Sequence, residues 1–436
     1  MRPVVHLPPC SARLLRRDVL LGCAAAALSP GCARQERAAR EAGRIVVPFW
    51  YALGDLVRKV LLELVAQFNA SQARVVVKPV HQGDYFEALA KLRTALAAGV
   101  APALSHVVLE VLPYLARAGV LEPLDGYEGA ADMAFVPALS QAGAFTDGSG
   151  RSVFGLPFNR STPIAVANGR ALDVARVAIP STWDELAEAA GQLTRHEASG
   201  EVRWGFEVPV SWWYWVAMMG QAGGRLVDAS GRLVLGGQAG EKALEFWQRL
   251  VHEQRAMRPP PGRDYQAWQS TSESFLRGRA AMIWTSTALL RYLEQNASFP
   301  VVAAPLPRQV RWSVPTGGTM FVLLRSAPEE EKLAAWEFLR WMCEADQTIA
   351  WSTRTAYLPV TLPAVDRLRA AGWYNRHAND RVAYEQLEHV DPWPWAAELF
   401  RVERDAVDPL LEAAVLTGRN AHETMQEARD EARRAA

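Results

Sequence analysis

Three side chains that can bind a polar molecule follow the ends of three predicted strands. Trp50 ends the first strand, Tyr85 comes a few residues after the second, and Glu110 closes the third. A carboxylate accepts hydrogen bonds from hydroxyl groups, a phenol both donates and accepts, and an indole packs against apolar surface. Ligands of open α/β sheets bind at the carboxyl ends of the strands. The spacing therefore predicts a crevice lined by an indole, a phenol and a carboxylate.

Each of these three residues also has a purely structural explanation. Tyr85 fits a half-buried aromatic residue that closes a turn, and Trp50 fits a core residue. Glu110 fits a carboxylate in the first turn of the helix that follows it. Their occurrence at three successive strand ends favours the crevice.

The elements that must position these side chains alternate between strands and helices. Strands are predicted at residues 44–50, 73–80 and 104–110, and amphipathic helices at 55–71 and 84–98. Further along the chain, Ser181 or Thr182 fits the N-cap of a helix, with Glu185 completing a capping box. This alternation predicts the α/β class, with an open parallel sheet covered by helices.

Composition and length limit the class of protein. The 436 residues suffice for two lobes, each with its own core. Half of the residues are hydrophobic and 22% are charged, which is typical of globular proteins. Lys plus Arg and Asp plus Glu are equal at 47 each, so no positive field is available to hold a nucleic acid. No nucleic-acid partner is expected.

The first 31 residues have the layout of an export signal. Arg13, Arg16 and Arg17 precede a short apolar run with small residues near its end. The run is too short and too broken to span a membrane permanently. The arginine pair fits both a twin-arginine and a general secretory signal, and Cys32 leaves lipidation open beside simple cleavage nearby. A periplasmic protein is expected, either free or anchored by lipid at Cys32.

The sequence lacks the patterns of common catalytic and metal sites. The eight histidines are scattered, and no H-E-x-x-H, G-x-S-x-G or Walker motif occurs. His81 and His106 precede the predicted crevice without an acid or metal partner at a suitable spacing. Cys343 lies among apolar helical positions and fits a core residue. Neither catalysis nor a metal or other cofactor is expected.

Eight segments of the mature chain resemble, in order and spacing, the extracellular solute-binding proteins of ABC importers. They are FWYALGD, FNAS, HQGDYFEALAKLRTALAAGVAPALSHVVLEV, FGLPFNRSTPIAVAN, PSTWDELAEAAGQL, FLRGRAAMIWTSTALL, TAYLPVT and LEAAVLTGRNAHETMQEA. Within that family the segments look most like the glycerol-3-phosphate-binding branch. The resemblance extends from Ile45 to about Ala428, and eight segments in register are not expected from a shared fold alone.

The resemblance implies a type II periplasmic-binding-protein fold, in which two α/β lobes close on a ligand about a hinge. We place the N-terminal lobe at 44–160 and 309–346, and the C-terminal lobe at 161–308 and 347–436. The family also implies the partners. A monomer binds a small molecule and delivers it to ABC permease subunits that a separate ATPase drives.

The same resemblance implies which residues contact the ligand. Ser161 matches a ligand-binding serine, although Arg160 stands beside it where a small residue is commoner. The other matching positions are Tyr85, Glu110, Ser286, Gly317 or Gly318, Tyr357, and for the phosphate Arg404, with Arg401 as the alternative. Without the resemblance, Ser286 fits a cap, the glycines fit a bulge or turn, and each arginine fits an exposed helical residue paired with a nearby acid.

Trp212 and Trp215 resemble a tryptophan pair that contacts the ligand's carbon atoms in this branch. Their spacing puts two indoles on one face of a helix. Core or interface packing is the alternative, since the chain has 16 tryptophans. The polar tips of this aromatic cluster favour contact with a ligand.

The implied donors suit a phosphate at one end of a polyol. Hydroxyl groups, a glycine N–H and an arginine fork can surround the phosphate oxygens, while Glu110 accepts from hydroxyls. We therefore expect sn-glycerol-3-phosphate, or a glycerophosphodiester such as glycerophosphocholine, whose quaternary ammonium can lie against tryptophan. A mono- or oligosaccharide stacked on the same indoles is the alternative ligand.

Overall fold

The computed structural model describes residues 39–147, 150–198, 200–261 and 264–435. The predicted export signal at residues 1–31 and Cys32 lie outside these ranges. The strands are β1 (Arg40–Glu41), β2 (Arg44–Tyr51), β3 (Val75–His81), β4 (Leu104–Val108), β5 (Ala144–Asp147), β6 (Gly150–Val153), β7 (Leu156–Ser161), β8 (Pro163–Asn168), β9 (Arg195–His196), β10 (Val202–Glu207), β11 (Met257–Arg258), β12 (Ala280–Ser286), β13 (Val301–Ala304) and β14 (Gly317–Leu323).

Helices connect most of these strands. The α-helices are α1 (Asp55–Ser71), α2 (Tyr85–Ala97), α3 (Leu112–Arg117), α4 (Pro137–Ser140), α5 (Gly169–Ala175), α6 (Trp183–Leu193), α7 (Trp212–Gln221), α8 (Gln238–Gln248), α9 (Asp264–Leu276), α10 (Leu290–Asn296), α11 (Glu329–Met342), α12 (Ala345–Thr355), α13 (Leu362–Ala370), α14 (Trp373–Arg376), α15 (Ala378–Glu385), α16 (Leu399–Val402), α17 (Asp408–Thr417) and α18 (Ala421–Ala435). Short 3₁₀ turns include Leu109–Val111 and Thr287–Leu289, and a π-helical turn spans Glu403–Val407.

The strands and helices predicted between residues 44 and 110 are confirmed, with their ends shifted by at most two residues. Along β2, buried and partly exposed residues alternate, as the strand period of two requires. The third predicted strand ends at Val108, so Glu110 lies in the 3₁₀ turn that follows it. This turn connects β4 to α3.

The first sheet has the strand order β1-β2-β4-β14-β7, and β3 also pairs with β2. The predicted parallel pairing is confirmed for β2, β3 and β4. The prediction of a wholly parallel sheet is wrong, because β14 runs antiparallel to both β4 and β7. Parallel neighbours need a crossover that returns the chain to the same end of the sheet. The chain instead reaches β14 from the second sheet, and β14 begins at the end of the sheet where β4 ends.

The second sheet has the order β11-β10-β12-β8-β13, and β9 also pairs with β10. It is mixed as well, since β10, β11 and β12 are parallel while β8 is antiparallel to β12 and β13. The chain leaves the first sheet after Ser161 and enters the second at Pro163. It returns between Ala304 and Gly317. The lobe boundaries given above stay predictions.

Each sheet has its own hydrophobic core. The first core contains Phe49, Phe68 and Phe338, and the second contains Phe206, Trp215 and Trp247. All six are among the largest fully buried side chains of the described residues. Burial of this apolar surface is the main term that stabilises each lobe.

The segment around α12 and the segment around α16 cross between the lobes. Trp351 of α12 packs in the first core, although the predicted boundaries assign it to the second lobe. In α16, Leu399 and Val402 pack in the second core. Phe400 between them stacks on Phe86 of α2, with 6.2 Å between ring centroids. Residues near 400 therefore join the two lobes.

A capping box begins α6, as the sequence predicts. The Thr182 hydroxyl accepts a hydrogen bond from the Glu185 N–H at 3.2 Å. The Glu185 carboxylate accepts from the N–H and the hydroxyl of Ser181, both at 2.8 Å. These bonds satisfy backbone donors that have no partner within the helix.

Replacing the cap residue is expected to destabilise the protein. Thr182→Ala removes the acceptor for the Glu185 N–H and should lower the free energy of unfolding by about 1 kcal/mol. Chemical denaturation followed by circular dichroism measures this change. Thr94→Ala is the matched control, because Thr94 lies inside α2 and its hydroxyl bonds only to the Ala90 carbonyl. Equal effects of the two substitutions would contradict the assigned cap.

Candidate functional site

A tight turn places Tyr85 at the carboxyl end of the first sheet. β3 ends at His81, and Gly83 has a φ of 94°, a conformation that favours glycine. The Asp84 carboxylate then caps α2 by accepting from the N–H groups of Phe86 and Glu87, both at 2.8 Å. Tyr85 is therefore the first residue of α2.

A buried chain of hydrogen bonds leads to the Tyr85 hydroxyl. The His106 Nε2 accepts from the Ala52 N–H at 2.7 Å, and its Nδ1 lies 3.0 Å from the Thr319 hydroxyl. That hydroxyl donates to the side-chain amide oxygen (Oδ1) of Asn159, which also accepts from the Thr319 N–H at 3.1 Å. The Asn159 amide nitrogen donates to the Tyr85 hydroxyl at 2.7 Å.

The protonation of His106 sets the direction of this chain. Burial lowers the pKa of His106 to about 3, so its ring is neutral near pH 7. Since Nε2 accepts, Nδ1 carries the proton and donates to Thr319, and Thr319 donates in turn to Asn159. Every member of the chain is satisfied, so the Tyr85 hydroxyl is held in one place and direction.

Glu110 and Arg160 form a second polar group near Tyr85. Burial raises the pKa of Glu110 to about 7, while a backbone hydrogen bond and the charge of Arg160 act in the opposite direction. Burial lowers the pKa of Arg160 to about 10, opposed by the charges of Glu110 and Tyr85. Arg160 therefore remains a cation at neutral pH, while the Glu110 carboxyl group titrates close to neutral pH.

The two glycines that begin β14 pair with the end of β7. Gly317 is paired with Ser161, and Gly318 with Arg160. A Cβ on Gly318, whose φ is 90°, would lie 1.8 Å from the backbone carbonyl oxygen of Asn159. A Cβ on Gly317 would lie 2.7 Å from the Trp213 ring. Only glycine allows both close approaches without rearrangement.

The predicted serines lie at the point where the chain passes between the sheets. Ser161 ends β7 and is buried, and Ser286 ends β12 opposite Pro163. The Ser286 hydroxyl accepts from the Ala288 N–H at 3.2 Å, which is the capping role considered for it above. Thr287 joins the same place by exchanging hydrogen bonds with Thr162 at 3.2 and 3.0 Å.

The helix α7 places Trp212 and Trp215 on one face, as their spacing predicts. Their rings stack at 5.5 Å, but both are buried in the second core, and the Trp215 indole donates to the Gly240 carbonyl at 3.0 Å. Their contact with a ligand stays a prediction. Trp213, between them, is partly exposed and packs against Gly317. It is the more accessible indole of this helix.

Two indoles of the second lobe bond to one residue next to the glycines. The Thr316 carbonyl accepts from the indole N–H of Trp213 at 3.3 Å and of Trp393 at 2.7 Å. Trp393 also stacks on Trp212, with 6.4 Å between ring centroids. These bonds hold the start of β14 against the second lobe.

Tyr357 lies beside Tyr85, and the two predicted arginines differ in their surroundings. Burial raises the pKa of the Tyr357 hydroxyl, opposed by hydrogen bonds with Tyr85 and Asn159. The Arg404 guanidinium lies 3.8 Å from the ring centroid of Phe86, the residue after Tyr85. Arg401, one turn earlier, is exposed. Arg404 thus contacts the neighbour of a predicted ligand-binding residue, while the side chain of Arg401 is exposed.

Residues 63–379, well over half of the chain, match the family model of the bacterial extracellular solute-binding proteins. The chain belongs to this family. It is a solute-binding protein of an ABC importer and not an enzyme, and it functions at an extracellular or periplasmic location. Partnership with an ABC permease follows from that membership.

Named relatives and solved structures of similar length support this assignment. The sn-glycerol-3-phosphate-binding periplasmic protein UgpB of Yersinia pseudotuberculosis is 24% identical over 395 residues, which cover 86% of this chain and 88% of that protein. UgpB from Mycobacterium tuberculosis, solved with glycerophosphocholine, has a TM-score of 0.79 at 24% identity, covering 90% and 98% of the two chains. The GacH receptor of Streptomyces glaucescens, solved unliganded and with acarbose, has a TM-score of 0.76 at 21% identity, covering 89% and 98%.

These structures confirm the predicted two-lobed fold of this solute-binding protein. Within the described residues, no helix is both long and apolar enough to cross a bilayer. The same part of the chain has no group of three or more His, Cys, Asp or Glu side chains arranged to hold a metal ion.

Several residues of the site were not found from the sequence. Asn159 and Thr319 orient Tyr85, and Thr316 joins the lobes. The sequence marks Arg160 only as an unusual neighbour of Ser161. An arginine directly before a predicted ligand serine, where a small residue is commoner, is the signal that the sequence offers for Arg160. Asn159 and Thr319 have no such signal, because 160 residues separate them along the chain.

The raised pKa of Glu110 predicts how its carboxylate affects stability with pH. Its ordinary value is 4.5, so between about pH 4.5 and 7 the folded protein binds this proton more tightly than the unfolded chain. The contribution of this group to the free energy of unfolding therefore falls as pH rises through that window, by at most about 3–4 kcal/mol. Glu110→Gln removes the ionisation, and should unfold at a higher temperature than the wild type at pH 8.

Thermal unfolding of both proteins from pH 5 to pH 8 checks this expectation. The difference in unfolding temperature should grow with pH, while the exposed-residue control Glu388→Gln should follow the wild type throughout. A difference for Glu110→Gln that does not change with pH would refute the raised pKa.

Proposed function

We propose that this protein captures sn-glycerol-3-phosphate or a glycerophosphodiester, such as glycerophosphocholine, between its lobes and delivers it to an ABC permease. The observation that carries the proposal is the set of residues around the start of β14. Tyr85, Glu110 and Ser161 come from the first lobe, and Tyr357 follows α12. The resemblance of the same positions to the glycerol-3-phosphate-binding branch supports this ligand. So does the similarity to a glycerol-3-phosphate-binding relative and to a structure solved with glycerophosphocholine.

The chemistry of these groups suits a polyol phosphate. Glu110 accepts from the hydroxyl groups of the polyol when ionised, and the oriented Tyr85 hydroxyl offers a donor or acceptor beside it. Arg404 is the cation assigned to the phosphate, with Ser161, Ser286 and a Gly317 or Gly318 N–H as further donors. The indole of Trp213 offers a face for the carbon atoms or for a quaternary ammonium.

Binding is proposed to close the lobes. A ligand that contacts both lobes only in the closed form favours that form by its difference in affinity between the two. The segment 399–404 packs in the second core and reaches Phe86 of the first lobe, so it is suited to carry ligand contacts across the cleft. The protein is proposed to act as a monomer, and anchoring through Cys32 stays a prediction.

A carbohydrate is the second candidate ligand. The observation that favours it is the structural similarity to GacH, a receptor solved with acarbose. Partly exposed aromatic side chains such as Trp213 and Trp393 would stack on sugar rings in that case. A neutral sugar, however, carries no negative charge that could pair with the cation of the site.

Isothermal titration of the mature protein with glycerol-3-phosphate, glycerophosphocholine and maltose tests the ligand. A phosphate ligand should bind, and Arg404→Ala should weaken it about 10- to 100-fold through the loss of charged hydrogen bonds. Arg401→Ala, one turn away and exposed, is the matched control and should bind like the wild type. Loss of binding in Arg401→Ala alone would reassign the phosphate arginine. Binding of maltose alone would overturn the phosphate ligand.

A further inference from the structure

Arg160 is a fully buried cation whose hydrogen bonds are incomplete. None of its surface is exposed to solvent. Its Nε donates to the Leu139 carbonyl at 3.2 Å, and its Nη2 to the Thr316 hydroxyl at 2.6 Å. Its Nη1 has no hydrogen-bond partner among the described residues. A buried donor left without an acceptor costs about 1–3 kcal/mol, and more when it is charged.

Another buried arginine of the chain shows the usual arrangement. Arg291 in the second lobe is mostly buried. Its Nε also lacks a hydrogen-bond partner among the described residues, but its guanidinium is paired with two carboxylates, Glu294 at 2.7 Å and Asp380 at 2.9 Å. Arg160 has instead a backbone carbonyl and a hydroxyl as its bonded acceptors, both uncharged. Buried charges are normally paired or bound to a ligand of opposite charge.

The position of Arg160 connects it to the proposed binding residues. It stands next to Ser161 on β7 and opposite Gly318 on β14. Its carbonyl accepts from the Leu358 N–H at 2.9 Å, directly after Tyr357. Its Nη2 partner, Thr316, is the residue that bonds to Trp213 and Trp393 of the second lobe. The guanidinium therefore lies where both lobes meet the start of β14.

We propose that Arg160 is a specificity-determining residue for an anionic ligand, with its Nη1 donating to an oxygen of the ligand's phosphate group. This inference rests on the proposed function and adds a second cation to Arg404. Nε and Nη2 are held by the protein, so Nη1 is oriented before the ligand arrives. A charged donor binds an anionic oxygen more strongly than a neutral hydroxyl, which favours a phosphate over a sugar.

The titratable groups around Arg160 do not fully neutralise its positive charge. Glu110 acts on it electrostatically, but with a pKa of about 7 that carboxylate is largely protonated in mildly acidic solution and only partly ionised at neutral pH. A protonated Glu110 can itself donate to a phosphate oxygen. Tyr85 is the other titratable group whose charge acts on Arg160. A phosphate would supply the counter-charge that the protein does not fully provide.

Substitution of Arg160 with a matched control tests the inference. In isothermal titration with glycerol-3-phosphate and glycerophosphocholine, Arg160→Gln should weaken binding about 10- to 100-fold. Arg160→Lys, which keeps the charge but not the fork, should retain part of that affinity. Arg291→Gln removes a buried, paired arginine away from the site. It should lower the unfolding temperature and leave the dissociation constants unchanged.

The outcomes separate this inference from the proposed function. If the wild type binds a phosphate ligand and folded Arg160→Gln binds it equally well, Arg160 is only structural and the inference fails alone. If the wild type binds neither phosphate ligand, both fail. Should neither Arg160 variant fold, a crystal structure of the wild type with glycerol-3-phosphate decides. A phosphate oxygen within roughly 3 Å of Nη1 supports the inference, and a phosphate elsewhere overturns it.

Discussion

β14 is the strand on which the arrangement of the site depends. It lies between β4 and β7 in the first sheet, although it begins 156 residues after the end of β7, where the chain returns from the second lobe. Its first two residues are glycines, and both are packed too closely by Asn159 and Trp213 to carry a side chain without rearrangement. Because β14 is held on one side by the sheet and at its start by indoles of the second lobe, it ties the geometry of the site to the relative position of the lobes.

Two kinds of polar group meet at the start of this strand, and they differ in how completely they are satisfied. The chain from His106 through Thr319 and Asn159 to Tyr85 has a partner at every step. A satisfied buried network is rigid, so it holds Tyr85 without needing a ligand. Glu110 and Arg160 are different, because burial shifts both pKa values, and the Nη1 of Arg160 has no hydrogen-bond partner among the described residues. An anionic ligand that bonds to this nitrogen would stabilise the site most.

The tryptophans illustrate how burial decides between packing and binding. Trp212 and Trp215 share a helical face, as their spacing requires, but that face turns into the second core. Trp213 points away from it and meets the glycines of β14. A spacing of three residues predicts that two side chains share one face of a helix. It does not predict which face is covered by other elements.

The sequence by itself determined the order of strands and helices up to Glu110, the capping box of α6, the two-lobed class and the family. These depend on local periodicity, cap chemistry and motif order, all of which are written along the chain. The placement of Tyr85 and Glu110 at neighbouring strand ends also followed, because parallel strands end at one edge.

Only the tertiary structure decided the rest. Contacts between segments far apart in sequence set the antiparallel course of β14, the partners of Asn159 and the incomplete hydrogen bonding of the Arg160 guanidinium. Their residues carry no local pattern that distinguishes a satisfied side chain from an unsatisfied one. Burial and hydrogen bonding are properties of the assembled fold, and only they show that the arginine beside Ser161 is fully buried with one nitrogen lacking a partner among the described residues.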